Sequence, residues 1–394
     1  MRTNGAQSSY EARLAAIRAS APSRSPTVRA LTAYAEHSEC NLATLGFAAS
    51  VDFDRLLAGT QYAAPFGQSP FAFSRGLAFE RIIADRGYSS TLELLRMTMG
   101  FAVDDAKIVN LRDTYPKNRA GMGLRANDTR TLIRQLIASD PSAPNLIDGA
   151  VLQTSIGGIP AFFEADALAA RFGGPIHAGE VKSFPVVDGR ADPDKLGAAL
   201  NQVAMYILFA KQLVDSLGAN PDLISSIALI ITPMNVSLTP TMSRMDVSTR
   251  IARNQRLLAK VPNVREIAAE VPPSLSFGPV ASQVAPVASR IDALHDIADR
   301  VGTNYGPSCL STCGNAMFCR ERTFRACSPS LSGPQAVRLL PGVHTLQRAA
   351  ELTEGAPAST DEAPVARQLA RAGRLYDDAV VPGPAANNAN RRIG

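Results

Sequence analysis

Two short runs decide the fold class of this chain: Phe163-Glu164-Ala165-Asp166-Ala167-Leu168 and Gly179-Glu180-Val181-Lys182-Ser183-Phe184. Both suit strands, and Gly173-Gly174-Pro175 between them marks a turn. An antiparallel pairing there brings Asp166 and Glu180, fourteen positions apart, close in space. Glu180 and Lys182 share one strand face because side chains alternate with period two. Two acids and a lysine on one face can hold a divalent metal beside a water, which is what phosphodiester hydrolysis needs.

Outward from this pair the pattern alternates between helices and strands. Thr27 to about Ala58 is mostly helical and contains Cys40. Residues 70–100 are expected to be helices carrying Ser74-Arg75-Gly76-Leu77-Ala78-Phe79-Glu80, and a further helix around Thr131–Leu136 stops near Asp140-Pro141. Ala150–Thr154 is a strand leading to a Gly157-Gly158 turn. Lys195–Leu217 is an amphipathic helix, and Ser226–Thr232 is a short apolar run suited to a buried strand. A basic helix over Val247–Lys260 carries Arg250, Arg253 and Arg256, candidate contacts to a phosphate backbone. The order predicts class α/β, a central mixed β-sheet flanked by helices.

The expected organisation is a flexible leader over 1–25, a helical segment over 26–69 and a core over 70–270. A cysteine region follows over 271–330, then C-terminal helices over 331–380 and a disordered tail over 381–394. Of 394 residues 46% are hydrophobic, enough for a full core, and a net charge of +5 permits a polyanionic partner without demanding one. No apolar run approaches the length of a membrane span, and the opening residues lack the apolar run of a secretory signal, so a cytoplasmic protein without a membrane partner is expected.

The chemistry of the paired runs favours Mg²⁺ or Mn²⁺, which prefer oxygen ligands. Asp166 and Glu180 supply carboxylates, the Val181 carbonyl another oxygen, and Glu80 on the upstream helix completes the shell. Lys182 neutralises the phosphate or orients the attacking water. Gln202 and Tyr206, at i and i+4, share a helix face from which they reach the phosphate or that water.

Five cysteines and no export signal point away from a disulfide framework and toward thiolate ligands. Cys309, Cys313, Cys319 and Cys327 form a local set suited to zinc. Cys40 with Cys309, Cys313 and Cys319 forms an alternative set suited to a 4Fe–4S cluster, which would staple distant parts of the chain and leave Cys327 as a spare buried thiol. Spacing leaves both sets open. His37 is expected to be a solvated helix histidine, and His177 to lie on the strand surface near Glu180.

Ser74-x-Gly76-x-x-x-Glu80, Asp166, Glu180-x-Lys182 and Gln202-x-x-x-Tyr206, in that order, resemble the motifs of RecB-like nucleases of the PD-(D/E)XK superfamily. One early cysteine with a late trio resembles the iron–sulfur branch, which includes the CRISPR-associated RecB-like exonucleases and AddB-type subunits. The resemblance covers about residues 35–325. It implies a restriction-endonuclease-like core and a helical iron–sulfur subdomain built from both ends of the chain. The implied function is a metal-dependent DNA nuclease acting on single-stranded DNA or duplex ends in repair, recombination or anti-phage defence. Asp166 and Glu180 become metal ligands, Lys182 the catalytic lysine, Gln202 and Tyr206 the accessory pair, and Cys40, Cys309, Cys313 and Cys319 the cluster ligands. No motor motif is present, so unwinding calls for a helicase or other partner subunit. Two departures stand out: Glu80 occupies the place where many relatives have histidine, and the first gap of the cysteine trio is wide. The alternative is a DNA-binding or assembly subunit with the same fold that does not cut, or a zinc-stabilised variant.

Overall fold

The structure is a computed structural model, and it describes residues 4–24, 30, 34–35, 37–63, 70–116, 118–169, 174–235, 237–306 and 309–380. Its centre is one mixed sheet of six strands in chain order: β1 (Ile108–Asn110), β2 (Leu146–Ile156), β3 (Ile159–Ala169), β4 (His177–Val181), β5 (Ile227–Pro233) and β6 (Pro240–Asp246). The pairs β2–β3, β3–β4 and β5–β6 are antiparallel, whereas β1–β2 and β4–β5 are parallel. The longer helices used below are α1 (Asn4–Arg18), α2 (Asn41–Ala48), α3 (Pro70–Met99), α4 (Arg119–Ile137), α5 (Pro193–Ser216), α6 (Ser248–Leu258), α7 (Val264–Glu270), α8 (Val287–Val301), α9 (Ala316–Ala326), α10 (Leu346–Thr353) and α11 (Ala363–Val380). Parallel neighbours need a crossover, and α4 and α5 supply the two.

Both faces of the sheet are covered. Along β5, Ala228 and Ile230 pack with α5 residues, whereas Leu229 and Ile231 pack toward Phe79, Ile83, Tyr88 and Leu95 of α3. This two-sided burial explains why the strand is apolar throughout rather than alternating. α5 starts cleanly because Asp192 accepts from the amides of Asp194 and Lys195 and Pro193 opens the first turn. From Val203 to Ala210 every residue of α5 is buried, so this helix forms the middle of the main core.

α3 is interrupted. Asp85–Tyr88 depart from helical geometry, and Arg86, Gly87 and Tyr88 take φ of 48°, 66° and 64°. Left-handed backbone is easy for Gly87 but strained for Tyr88. The strain is held by burial of the ring and by a hydrogen bond from its hydroxyl to Asp148 Oδ2, 2.6 Å.

A second core brings the ends of the chain together. Leu14 and Ile17 of α1, Leu42 and Leu45 of α2, Val264 of α7, Leu294 of α8 and Phe318 of α9 belong to one buried cluster that includes Cys40 and Cys319. The region 1–25, expected as a flexible leader, therefore contains a packed helix. Leu14 and Ile17 sit one turn apart and give an otherwise polar segment a buried edge, and Ile17 O accepts the Phe277 amide at 2.7 Å. The C-terminal helices have a small core of their own around Val343, Leu352 and Val365, clamped by Arg348 on Glu362. The expected tail 381–394, parts of the segment 26–69 and the turn residue Gly173 lie outside the described residues. Among the described residues no helix is long and apolar enough to cross a membrane.

Candidate active site

The expected antiparallel pairing holds, with Ala167 opposite Gly179, so Asp166 stands beside the Glu180–Val181 step. Asp166 Oδ2 accepts the Val181 amide at 2.9 Å, tying the first carboxylate to the backbone between Glu180 and Lys182. Glu180 points to the α5 side of β4, as Ala178 does, and is 0% exposed. Lys182 pairs with Glu180 Oε1. This ion pair is the cationic contact that Glu180 makes inside the fold.

Three neighbouring elements complete the site. α3 lies against the end of β4, where Arg75 Nε donates to Ser183 O at 3.1 Å. Gly76 faces the Ser183 hydroxyl with only ordinary contact, so a methyl group would be tolerated there. Glu80, one turn on, feels Asp166, Arg112 and Lys182 electrostatically. From α5, Gln202 Nε2 donates to the Tyr206 hydroxyl at 2.7 Å, and Tyr206 is buried within the field of Glu180.

Sequence reasoning missed an arginine at the centre of this group. Arg112, on the loop after β1, contacts Asp148 Oδ1 at 3.1 Å, Glu164 Oε1 at 2.9 Å and Asp166 Oδ1 at 3.4 Å. It also donates to the Asp166 carbonyl at 3.1 Å. Arg125 on α4 adds a second cation to Glu164 at 2.9 Å and donates to the Gly149 carbonyl. Glu164 lies in the quoted run two residues before Asp166, where strand alternation could have flagged it. No local spacing links Arg112, Asp148 or Tyr88 to it.

The titration shifts share one direction. Burial, then the charge of Asp166, pushes Glu180 up to about 8. Burial and Asp166 also raise Glu80. Burial alone would lower Lys182, but the surrounding carboxylates outweigh it and raise the ammonium pKa. Burial and Glu180 raise Tyr206. For Glu180, Glu80 and Tyr206 burial is the largest cause, and the neighbouring carboxylates add to it. Glu80, Asp148, Glu164, Asp166 and Glu180 face Arg112, Arg125 and Lys182, five acids against three cations.

The cysteines divide differently from the local zinc set. Cys40, Cys309, Cys313 and Cys319 line one cavity of about 10 Å³, together with His37, Asn304 and Asn315. The turn Cys309–Thr312, the link after it and the first turn of α9 present Cys309, Cys313 and Cys319 in that order, and Gly314 in the link passes close to Phe53 and Asp54. A β-carbon at Gly314 would lie 2.7 Å from Asp54 Oδ1 and 2.8 Å from Phe53 Cβ, so glycine is needed for that approach. Backbone amides of Asn304 and Gly306 donate to the sulfurs of Cys40 and Cys309, each at 3.4 Å. Burial pushes Cys313 up to about 12 and Cys319 well above the ordinary thiol range. Cys327 does not line the cavity. It caps α9 in left-handed geometry, and its sulfur accepts the Gln347 amide at 3.4 Å. Its thiol, expected to be spare and buried, is half-buried and links α9 to α10.

His37, expected to be solvated, is buried, with Nε2 3.1 Å from Thr312 Oγ1 and Nδ1 3.7 Å from Cys309 Sγ. His177 is buried rather than on the strand surface. It faces away from Glu180, and its Nδ1 is 3.1 Å from Ile227 O. On α6, Arg250 is tied to Asn201 at 2.6 Å, while Arg253 and Arg256 are exposed. Among the described residues no three His, Cys, Asp or Glu side chains are arranged as ligands of a single metal ion. No family model matches this chain, and no curated protein matches it.

Proposed function

We propose that the protein is a divalent-metal-dependent nuclease that hydrolyses phosphodiester bonds of DNA. The observation that carries this reading is the juxtaposition of Glu180, a wholly buried carboxylate, with Asp166 and Lys182 at the end of β4. Burying such a group costs free energy unless a cation or a partner compensates it. A strong local demand for charge at a cluster of acids is a mark of function rather than of folding.

Asp166, Glu180 and Glu80, with the Val181 carbonyl, are the groups that would hold Mg²⁺ or Mn²⁺. When bound, the ion supplies Lewis acidity to the phosphate and to the attacking water. Lys182, released from Glu180, carries its ammonium to the phosphate or to that water. Gln202 and Tyr206 orient the same reactants from α5. Arg112 fixes Asp166 through both its carbonyl and its carboxylate. The substrate is DNA, single-stranded or at duplex ends, and a helicase or other repair or defence subunit is the expected partner. The surrounding sheet and helices correspond, in this reading, to a restriction-endonuclease-like core.

The thiol cavity is assigned a 4Fe–4S cluster on Cys40, Cys309, Cys313 and Cys319, forming a helical iron–sulfur subdomain. Four thiols and two N–H···S contacts support it. The small volume of the cavity favours a second reading, one zinc ion on the same four thiolates. Iron, sulfide and zinc content of anaerobically purified protein separates the two.

The test of the activity compares wild type with Lys182→Ala and Glu180→Ala on labelled single- and double-stranded DNA, with Mg²⁺ or Mn²⁺. The expected result is cleavage by wild type alone. Equal cleavage by all three would remove the site assignment. No cleavage by wild type would favour a DNA-binding or assembly subunit.

A further inference from the structure

Asn315 stands at the start of α9, where asparagine ordinarily accepts a hydrogen bond from the first-turn amides. It makes no such bond. Its side chain is 1% exposed and lines the thiol cavity, and neither Nδ2 nor Oδ1 has a partner among the described residues. A buried amide without partners is destabilising, and native proteins rarely keep one without a reason. Capping α9 was the local alternative, so folding does not account for the inward placement.

The backbone of the same residue braces two of the thiols. Its amide donates to Cys313, and its carbonyl accepts the Cys319 amide at 2.9 Å. Cys40 and Cys309 already receive amide donors from Asn304 and Gly306. Asn315 Nδ2 is therefore a buried donor in the wall of a cavity that is also lined by four sulfurs. Neutral thiols accept weakly, whereas thiolates and sulfides accept strongly.

We propose that Asn315 donates Nδ2–H to a sulfur of the cluster held by Cys40, Cys309, Cys313 and Cys319, and thereby raises its reduction potential. The proposal rests on the cluster assignment above. A donor to sulfur stabilises the reduced, more negative cluster relative to the oxidised one. The step is a bare one-electron change at the cluster, and Asn315 exchanges no proton or electron.

The experiment uses the full chain, purified without oxygen, as wild type, Asn315→Leu and the isosteric Asn315→Asp. Iron and sulfide are assayed first, and loaded proteins are then titrated electrochemically while absorbance is followed. The expected result is normal iron and sulfide in wild type. Both variants should have lower potentials, with the oxidised-to-reduced ratio at the wild-type midpoint shifted about tenfold, equivalent to 59 mV for one electron. The metal-free Asn315→Leu protein should melt no lower than metal-free wild type, because it loses an unpaired buried amide. Failure of both variants to load while remaining folded also supports the contact. Wild-type midpoints in both loaded variants, or metal-free variants that no longer fold, would overturn the role of Asn315 and leave the cluster assignment standing. Wild type containing zinc, or neither iron nor sulfide, would remove the cluster assignment and this proposal with it.

Discussion

The carboxylate site and the thiol cavity solve burial in opposite ways. At the end of β4 the acids are met by side chains from the protein itself: Arg112 holds Asp148, Glu164 and Asp166, Arg125 holds Glu164, and Lys182 holds Glu180. In the thiol cavity the sulfurs meet backbone amides and the His37 ring rather than charged side chains of opposite sign. Its four sulfurs come from Cys40 and from residues 269 or more positions later, and burial raises the Cys313 and Cys319 thiols. A group bound there would join distant segments, so its binding free energy would be folding free energy. In the proposed reading, the contrast would separate a site that uses metal for chemistry from one that uses it as a staple.

The largest expected effect follows from the staple. Cys313→Ser should lose the cluster and weaken the second core by about 5 kcal/mol, the scale of closing a loop of more than a hundred residues. Denaturant unfolding of the loaded proteins measures this, and unchanged stability would break the contrast. The next effect belongs to the carboxylate site. Lys182→Ala strands Glu180 in the interior and should cost about 3 kcal/mol, whereas Glu180→Gln removes the buried charge and should cost less than about 1 kcal/mol. Both should slow cleavage by roughly 10²- to 10³-fold. Equal destabilisation by the two substitutions would mean that the burial of Glu180 is not the dominant strain.

A smaller effect concerns the C-terminal hairpin, which neither site touches. Hydrogen bonds from Arg348, then from the Ser359 amide, hold the Glu362 carboxyl down at about 2. A depressed carboxyl stabilises the fold above its ordinary range near 4.5, and that contribution is lost as pH falls through about 2. Amide protection factors in α10 and α11, corrected for the intrinsic pH dependence of exchange, should therefore fall on acidification, and Arg348→Ala should remove the dependence. The smallest effect is expected at Cys327. Cys327→Ser should leave the iron content unchanged and stability within about 0.5 kcal/mol, because its sulfur only accepts the Gln347 amide. Loss of iron on this substitution would return the local cysteine set to contention.

Much of the site was legible because it is carried by strand and helix periodicity. Asp166 and Glu180 are brought together by the antiparallel pairing of β3 with β4, Lys182 pairs with Glu180, and Gln202 and Tyr206 share a face as their four-residue spacing requires. The mixed sheet and its crossover helix α5 follow from the same patterns. Arg112 was not legible, because its three partners come from β2 and β3 and its own loop has no periodicity. Tyr88 reaches Asp148 only through a left-handed break that α3-like sequence conceals. The choice between cysteine sets depended on whether Cys40 reaches the late trio, a tertiary fact that spacing within the trio cannot supply. α1 was hidden by its polar composition, since two apolar residues one turn apart suffice to bury its edge.

The central claim is that the carboxylate site performs metal-dependent cleavage while the thiol cavity only maintains the fold. Its most direct test is DNA cleavage by anaerobically purified protein treated with EDTA and then resupplied with Mn²⁺, with absorbance near 400 nm recorded throughout. The expected result is cleavage that disappears with EDTA and returns with Mn²⁺ while the cluster absorbance stays constant, and no recovery in Glu180→Gln. Cleavage that survives EDTA, or that Mn²⁺ restores equally in Glu180→Gln, would contradict it.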